Sequence, residues 1–86
     1  MARLRASTPE SLTITTPKEL GTYLRKIRRE ADLDQRTAAG LAGVGTRFLG
    51  DLERGKETLR FGLVLQVLHR LGIQLAATRR GSPRSR

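Results

Sequence analysis

The chain contains no cysteine. That excludes disulfides and thiolate metal sites as supports for the fold. Aromatic side chains are nearly absent too: Tyr23, Phe48 and Phe61 are the whole set. Three rings do not make the stacking platforms that bind splayed single strands, so duplex backbone and groove edges are the better targets. No apolar run approaches the roughly 18–20 residues needed to span a bilayer. The basic start, MARLRASTPESLT, has no apolar core of a secretory signal, so a cytoplasmic location is expected. Acidic residues are scarce, 8 against 17 basic ones, for a net charge of +9. All the acids lie at or before Glu57, and the charges beyond it are arginines. Such a balance points to a polyanionic partner, most often nucleic acid; a solubility device or membrane-surface binder is the alternative. Catalytic constellations are missing. His69 is the lone histidine, with no second ligand to share a metal, and reads as a helix-surface or dimer-face residue. The hydroxyls, Ser11 and Thr13 among them, have no base, and no carboxylate pair flanks a nucleophile. Neither enzyme activity nor a cofactor is expected.

Eighty-six residues make one small domain with a modest core, reinforced by helix packing and dimerisation. Residues 1–15 are polar and expected to be flexible, although Leu12 and Ile14 alternate as in a short strand. At TPKE, Thr16 suits an N-cap, Pro17 the first helical position and Glu19 a capping box. Leu20, Leu24, Ile27 and Ala31 then form one apolar stripe, with Arg25, Lys26, Arg28 and Arg29 opposite. Asp34 suits the cap of a short helix, Gln35 to Ala42, ended by Gly43. A third helix spans Thr46 to Arg54 before Gly55, and a fourth runs from Phe61 to about Leu71 before Gly72. In the fourth, Phe61, Val64, Leu65, Leu68 and Leu71 are apolar. Ile73, Leu75 and Ala77 alternate as in a strand, and residues 79–86 form a basic flexible tail. The domain proper is therefore residues 16–78.

The two short helices around AGVG have the layout of a helix-turn-helix. Ala39 falls at the crossing, where a small side chain permits close approach. Gly43 permits the turn, and Val44 plugs the angle between the helices. The second helix then projects its first turn outward, where side chains can enter a major groove.

The stretch LDQRTAAGLAGVGTRFLGDLERGK, Leu33 to Lys56, resembles the core of the Xre/Cro family of helix-turn-helix repressors. Leu33, Gln35, Ala39, Ala42-Gly43-Val44, Leu49, Leu52-Glu53 and Gly55-Lys56 stand at the matching places. The likeness covers about Leu20 to Leu71. GVGTRFLGDLERGK and the strand after the last helix most resemble HipB-like antitoxins. Ala38 departs from the usual leucine, which thins the expected core there. Gly50 stands where that group often has serine.

The resemblance implies a mainly α fold: a small helical bundle whose C-terminal strand pairs with its copy in a dimer through Ile73, Leu75 and Ala77. It implies sequence-specific repression from a palindromic double-stranded operator, with a HipA-like serine/threonine kinase toxin as partner. A stand-alone repressor without a toxin, or an antitoxin acting mainly as a protein-binding inhibitor, are the alternatives. The implied DNA-binding set is Gln35, Arg36, Gly45, Thr46, Arg47, Phe48, Gly50, Asp51, Lys56 and Arg60. Gln35 resembles the residue that bonds a phosphate, the alternative being an ordinary polar residue at a helix start. Thr46 and Arg47 match the first-turn residues that reach base edges. Arg47 has the geometry to donate twice to guanine, or else contacts a phosphate or stays solvated. Thr46 is also placed to cap the helix. Phe48 is expected on the exposed side or at its edge, where it either touches a thymine methyl or packs against the end of the first helix or the dimer interface. Asp51 is four residues from Arg47 and suited to orient it, with acceptance from cytosine as the alternative. Gly50 is expected on the DNA side, letting the helix approach closely. Glu53 resembles a buried glutamate paired with an arginine of the first helix, for which Arg28 is the candidate. Lys56 and Arg60 are placed for phosphates, and Arg54 less clearly so.

Overall fold

The structure, a computed structural model, describes residues 11–81. The expectations for residues 1–10 and 82–86 lie outside it. The order is α1 (Pro17–Glu30), α2 (Gln35–Ala42), α3 (Thr46–Glu53) and α4 (Phe61–Arg70). Helix α1 packs on α3, α3 on α2, and α2 on α4. Compared with expectation, α3 ends one residue earlier and α4 gives up Leu71 to its cap.

Helix starts follow the sequence signals. The Thr16 side chain accepts from the Glu19 backbone N–H at 3.1 Å, and the Glu19 carboxylate accepts in return from the Thr16 N–H at 3.2 Å. Asp34 accepts from the Thr37 N–H at 2.7 Å, capping α2. All four helices end in the same way. The residue after the last turn takes positive φ at Asp32, Gly43, Gly55 and Gly72, and the next N–H reaches back to close the final turn. Glycine takes this conformation freely, and aspartate is among the few other residues that tolerate it. After three of these ends, at Leu33, Val44 and Ile73, an apolar residue turns back onto the core. After the fourth stands Lys56, exposed.

The core is Leu24, Ala38, Ala39, Ala42, Leu49, Leu52, Val64, Val67 and Leu68. Ala38 is fully buried beside Ala39 and Ala42, so the site of the missing leucine is closed by α2 lying near its neighbours. Two apolar stripes differ from expectation. In α4 the buried residues are Val64, Val67 and Leu68, whereas Phe61 and Leu65 are exposed (64% and 37%). The inward stripe of α4 is therefore rotated from the expected one and takes in Val67. Ala31 is the C-cap of α1 and is exposed.

Helix α1 meets α3 at Gly21. A β-carbon there would fall inside the contact distance of the Leu52 and Glu53 carbonyl oxygens. Only hydrogen fits at this crossing, which accounts for a buried glycine inside an otherwise regular helix.

Among the described residues there is no strand, and Ser11–Thr15 and 73–79 have no ladder partner within the chain. The expected sheet at Ile73, Leu75 and Ala77 requires a second protomer. Ile73 is half-buried against the core, and Leu75 is 56% exposed.

The caps also set an acid response. Hydrogen bonds from Thr15 hold the Glu19 carboxyl below its ordinary 4.5, and the Thr37 N–H holds Asp34 below its ordinary 3.8. A carboxylate whose folded pKa is depressed contributes stability above its unfolded value and loses it as pH falls through the folded value. Urea midpoints should thus be level near neutrality, begin to fall as pH drops past about 4.5, and lose this contribution fully once pH is below both lowered values. Asp34→Asn, which still caps without titrating, should flatten the lower part of that profile.

Candidate nucleic-acid interface

Helices α2 and α3 are joined by a tight turn. The Val44 N–H donates to the Ala39 carbonyl at 3.0 Å, and Gly43 at φ 75° is held between. Ala39 is buried and Val44 packs against the core. Across this turn, Gln66 of α4 donates through Nε2 to the Ala42 carbonyl at 2.9 Å, satisfying one end of α2. Nothing in the sequence beyond an amide on the fourth helix marks that role.

Helix α3 divides along its length. Leu49, Gly50, Leu52 and Glu53 are buried. Thr46 and Arg47 are exposed, and their side chains make no hydrogen bond or ion pair among the described residues. Gly45 provides the N-cap without a side-chain acceptor, and a β-carbon on it would meet nothing within 4 Å. The opening N–H groups of α3 are thus left to an outside acceptor. Unsatisfied N–H groups at a helix start, with the positive end of the helix dipole, favour an anion. Thr46 is the first helical residue and not the cap.

A buried network holds the other end. Arg28 Nε donates to Glu53 Oε2 at 2.7 Å and its NH2 to Oε1 at 3.1 Å, while NH1 donates to the Leu33 carbonyl at 2.8 Å. The Glu53 hydrogen bond raises the Arg28 pKa further above its ordinary value. Arg28, expected on the outer basic face of α1, turns inward, as its pairing with Glu53 required. Gln35 joins the network, donating through Nε2 to Glu53 Oε1 at 3.1 Å. One carboxylate thereby ties α1, the start of α2 and the end of α3 together. The Gln35 amide points to Glu53 and keeps one N–H outside this bond.

Two expectations change. Gly50 does not face the open groove side. It is buried, and a β-carbon would lie 3.3 Å from Arg54 NH1 and 3.4 Å from Gln35 Oε1. Its small size makes room for the Gln35 amide crossing toward Glu53. Asp51 does not pair with Arg47. Arg54 NH2 donates to Asp51 Oδ1, and Lys56 Nζ lies 3.7 Å from Oδ2. The residues after α3 reach back to Asp51, and Arg47 extends alone.

Phe48, expected on the exposed side or at its edge, is half-buried and packs against the core. Arg36 is exposed one residue into α2, and Arg60 is exposed as the N-cap of α4. Gly21 is the residue sequence reasoning missed; its signal was a costly glycine in the middle of an amphipathic helix. Among the described residues, no group of acids and histidine is placed to hold a metal, and no helix is long and apolar enough to cross a membrane.

A short helix seated on α4, followed across a tight turn by one whose first turn stands free, defines a helix-turn-helix protein. Residues 19–81 match the helix-turn-helix domain family, and the chain belongs to it. It is 50% identical over 62 residues to the uncharacterized HTH-type transcriptional regulator y4mF of Sinorhizobium fredii, covering 72% of this chain and 82% of that one. Among solved structures it is similar to the restriction-modification controller protein C.AhdI of Aeromonas hydrophila, at 29% identity and a TM-score of 0.59, over 67% of this chain and 84% of that one. HipB bound to an O2 20-mer shares the fold at a TM-score of 0.74 and 14% identity, over 83% and 99% of the two chains. The chain is an HTH transcriptional regulator of the Xre/Cro type.

Proposed function

We propose that this chain is a sequence-specific DNA-binding repressor that acts as a homodimer on a palindromic operator. The observation that carries this is the first turn of α3: Thr46 and Arg47 stand free on an uncapped helix end whose far end is fixed by Glu53. Thr46 and Arg47 read base edges. The remaining Gln35 N–H, Arg36, Lys56 and Arg60 meet phosphates, and Gly45 lets the backbone come close. Phe48 and Gly50 support this set from beneath.

The dimer forms through α4 and the segment after it. Phe61, Leu65 and Leu75 are exposed apolar residues, and a groove of about 530 Å³ lies between Leu65, Leu68, His69, Ile73 and Leu75. Residues 73–77 of two protomers pair there as strands, which removes two open edges.

Within this reading the chain is a HipB-like antitoxin that represses its own operon and neutralises a HipA-like serine/threonine kinase toxin. Support comes from the motif resemblance and from the shared fold of HipB in the HipA–HipB–O2–O3 complex. A stand-alone regulator is the second reading, favoured by the higher identity to C.AhdI. Co-purification with a kinase-like protein encoded alongside supports the antitoxin; its failure with both genes co-expressed favours the second reading.

Arg47→Ala tests the common ground. A bidentate arginine–guanine contact discriminates by about 1–3 kcal/mol, so affinity for the chain's own upstream region should fall roughly 5- to 150-fold in gel shifts. Footprinting should reveal a protected inverted repeat. Unchanged affinity in R47A, or no such repeat, overturns the proposal.

A further inference from the structure

We infer that Asp51 is a positioning residue for operator specificity, acting through Arg54 and Lys56 rather than through the base-reading Arg47; the inference rests on the DNA-binding reading above.

Arg54 is the C-cap of α3, and Lys56 follows two residues later. Both bend back to one carboxylate, one cation on each oxygen. The Asp51 side chain is only 16% exposed, whereas those of Arg54 and Lys56 are 69% and 50% exposed. The two cations thus cover the acid and present their outer surfaces to solvent beside the reading helix. Lys56 also occupies the place where the other three helices turn an apolar residue onto the core, so this site forgoes packing for charge.

Exposed ion pairs contribute little to stability, so stability does not account for a carboxylate on this face. Its effect on DNA binding is larger. Two free, flexible cations follow phosphates on any sequence, which raises non-specific binding. Two cations held on one carboxylate present a single net positive charge at a fixed place. They reward a duplex whose backbone arrives in register, and the carboxylate repels phosphates that arrive elsewhere.

Asp51→Asn keeps the shape and removes the charge. Binding is measured against salt on two duplexes of equal length, one carrying the chain's upstream region and one scrambled. In D51N the scrambled-duplex plot of log K against log salt should steepen by about 0.9, and affinity near 0.15 M salt should rise about fivefold. Affinity for the upstream duplex should rise less, so the specificity ratio falls. D51E, which retains the charge, should keep the wild-type slope. Melting temperature should stay within a few degrees in both variants. Wild-type binding with an unchanged slope or ratio in D51N overturns this inference alone. Failure of the wild type to bind either duplex overturns the DNA-binding reading, and this inference with it.

Discussion

Gly21→Ala should lower the melting temperature, by up to about 15 °C, despite placing the best helix former inside a helix. On propensity alone the change stabilises by about 1 kcal/mol. Against this stands the crossing with α3, where the new methyl would enter the contact shell of two backbone carbonyls, those of Leu52 and Glu53. A flexible side-chain tip moves aside at little cost, but backbone does not. Helix α1 must shift as a body, and overpacking of this kind costs about 1–3 kcal/mol, occasionally more. At roughly 4–8 °C per kcal/mol for a domain of this size, the net loss is readily seen by circular dichroism. A melting temperature equal to or above wild type would falsify the close-approach account of the α1–α3 crossing.

The second large effect is expected at Glu53. Its carboxylate is buried, with the residue 8% exposed, and takes three hydrogen bonds from Arg28 and Gln35. Removing one member of a buried ion pair leaves the other charge uncompensated, a loss of about 3–5 kcal/mol. Glu53→Ala should therefore consume much of the stability of a small domain, which totals about 5–15 kcal/mol. Chemical denaturation of the variant measures this directly. Replacing both partners, as Arg28→Met with Glu53→Leu, should recover most of that stability, because neither charge is then left buried alone. DNA affinity should not recover with it, since Gln35 still lacks its anchor. Recovery of both together would show that the network serves stability only.

Much of this was legible in the sequence, for identifiable reasons. Caps and turns are local, so Thr16, Asp34, Gly43 and Gly55 announced the helix ends. The Arg28–Glu53 pair was legible only because the motif resemblance pointed to it; 25 residues separate the two along the chain. Asp51 was misjudged for a related reason. Helical spacing offers it Arg47 at i−4, but the turned chain end brings Arg54 and Lys56 to both of its oxygens. Gly50 was assigned to the wrong surroundings because its neighbour, Gln35, comes from another helix. The inward stripe of α4 missed Val67 because six of its ten residues are apolar and they fall on more than one face, so the pattern alone did not fix the helix's rotation.

The division along α3 has a consequence for how such a protein changes over time. The side chains at 46 and 47 carry no internal bonds, and 49, 52 and 53 carry the attachment to the rest of the molecule. On the proposed base-reading role, substitutions that retarget the helix to a new base sequence fall where folding imposes almost no constraint. Eight residues hold a fixed mount and an interchangeable tip, so new recognition arises without first passing through an unstable intermediate.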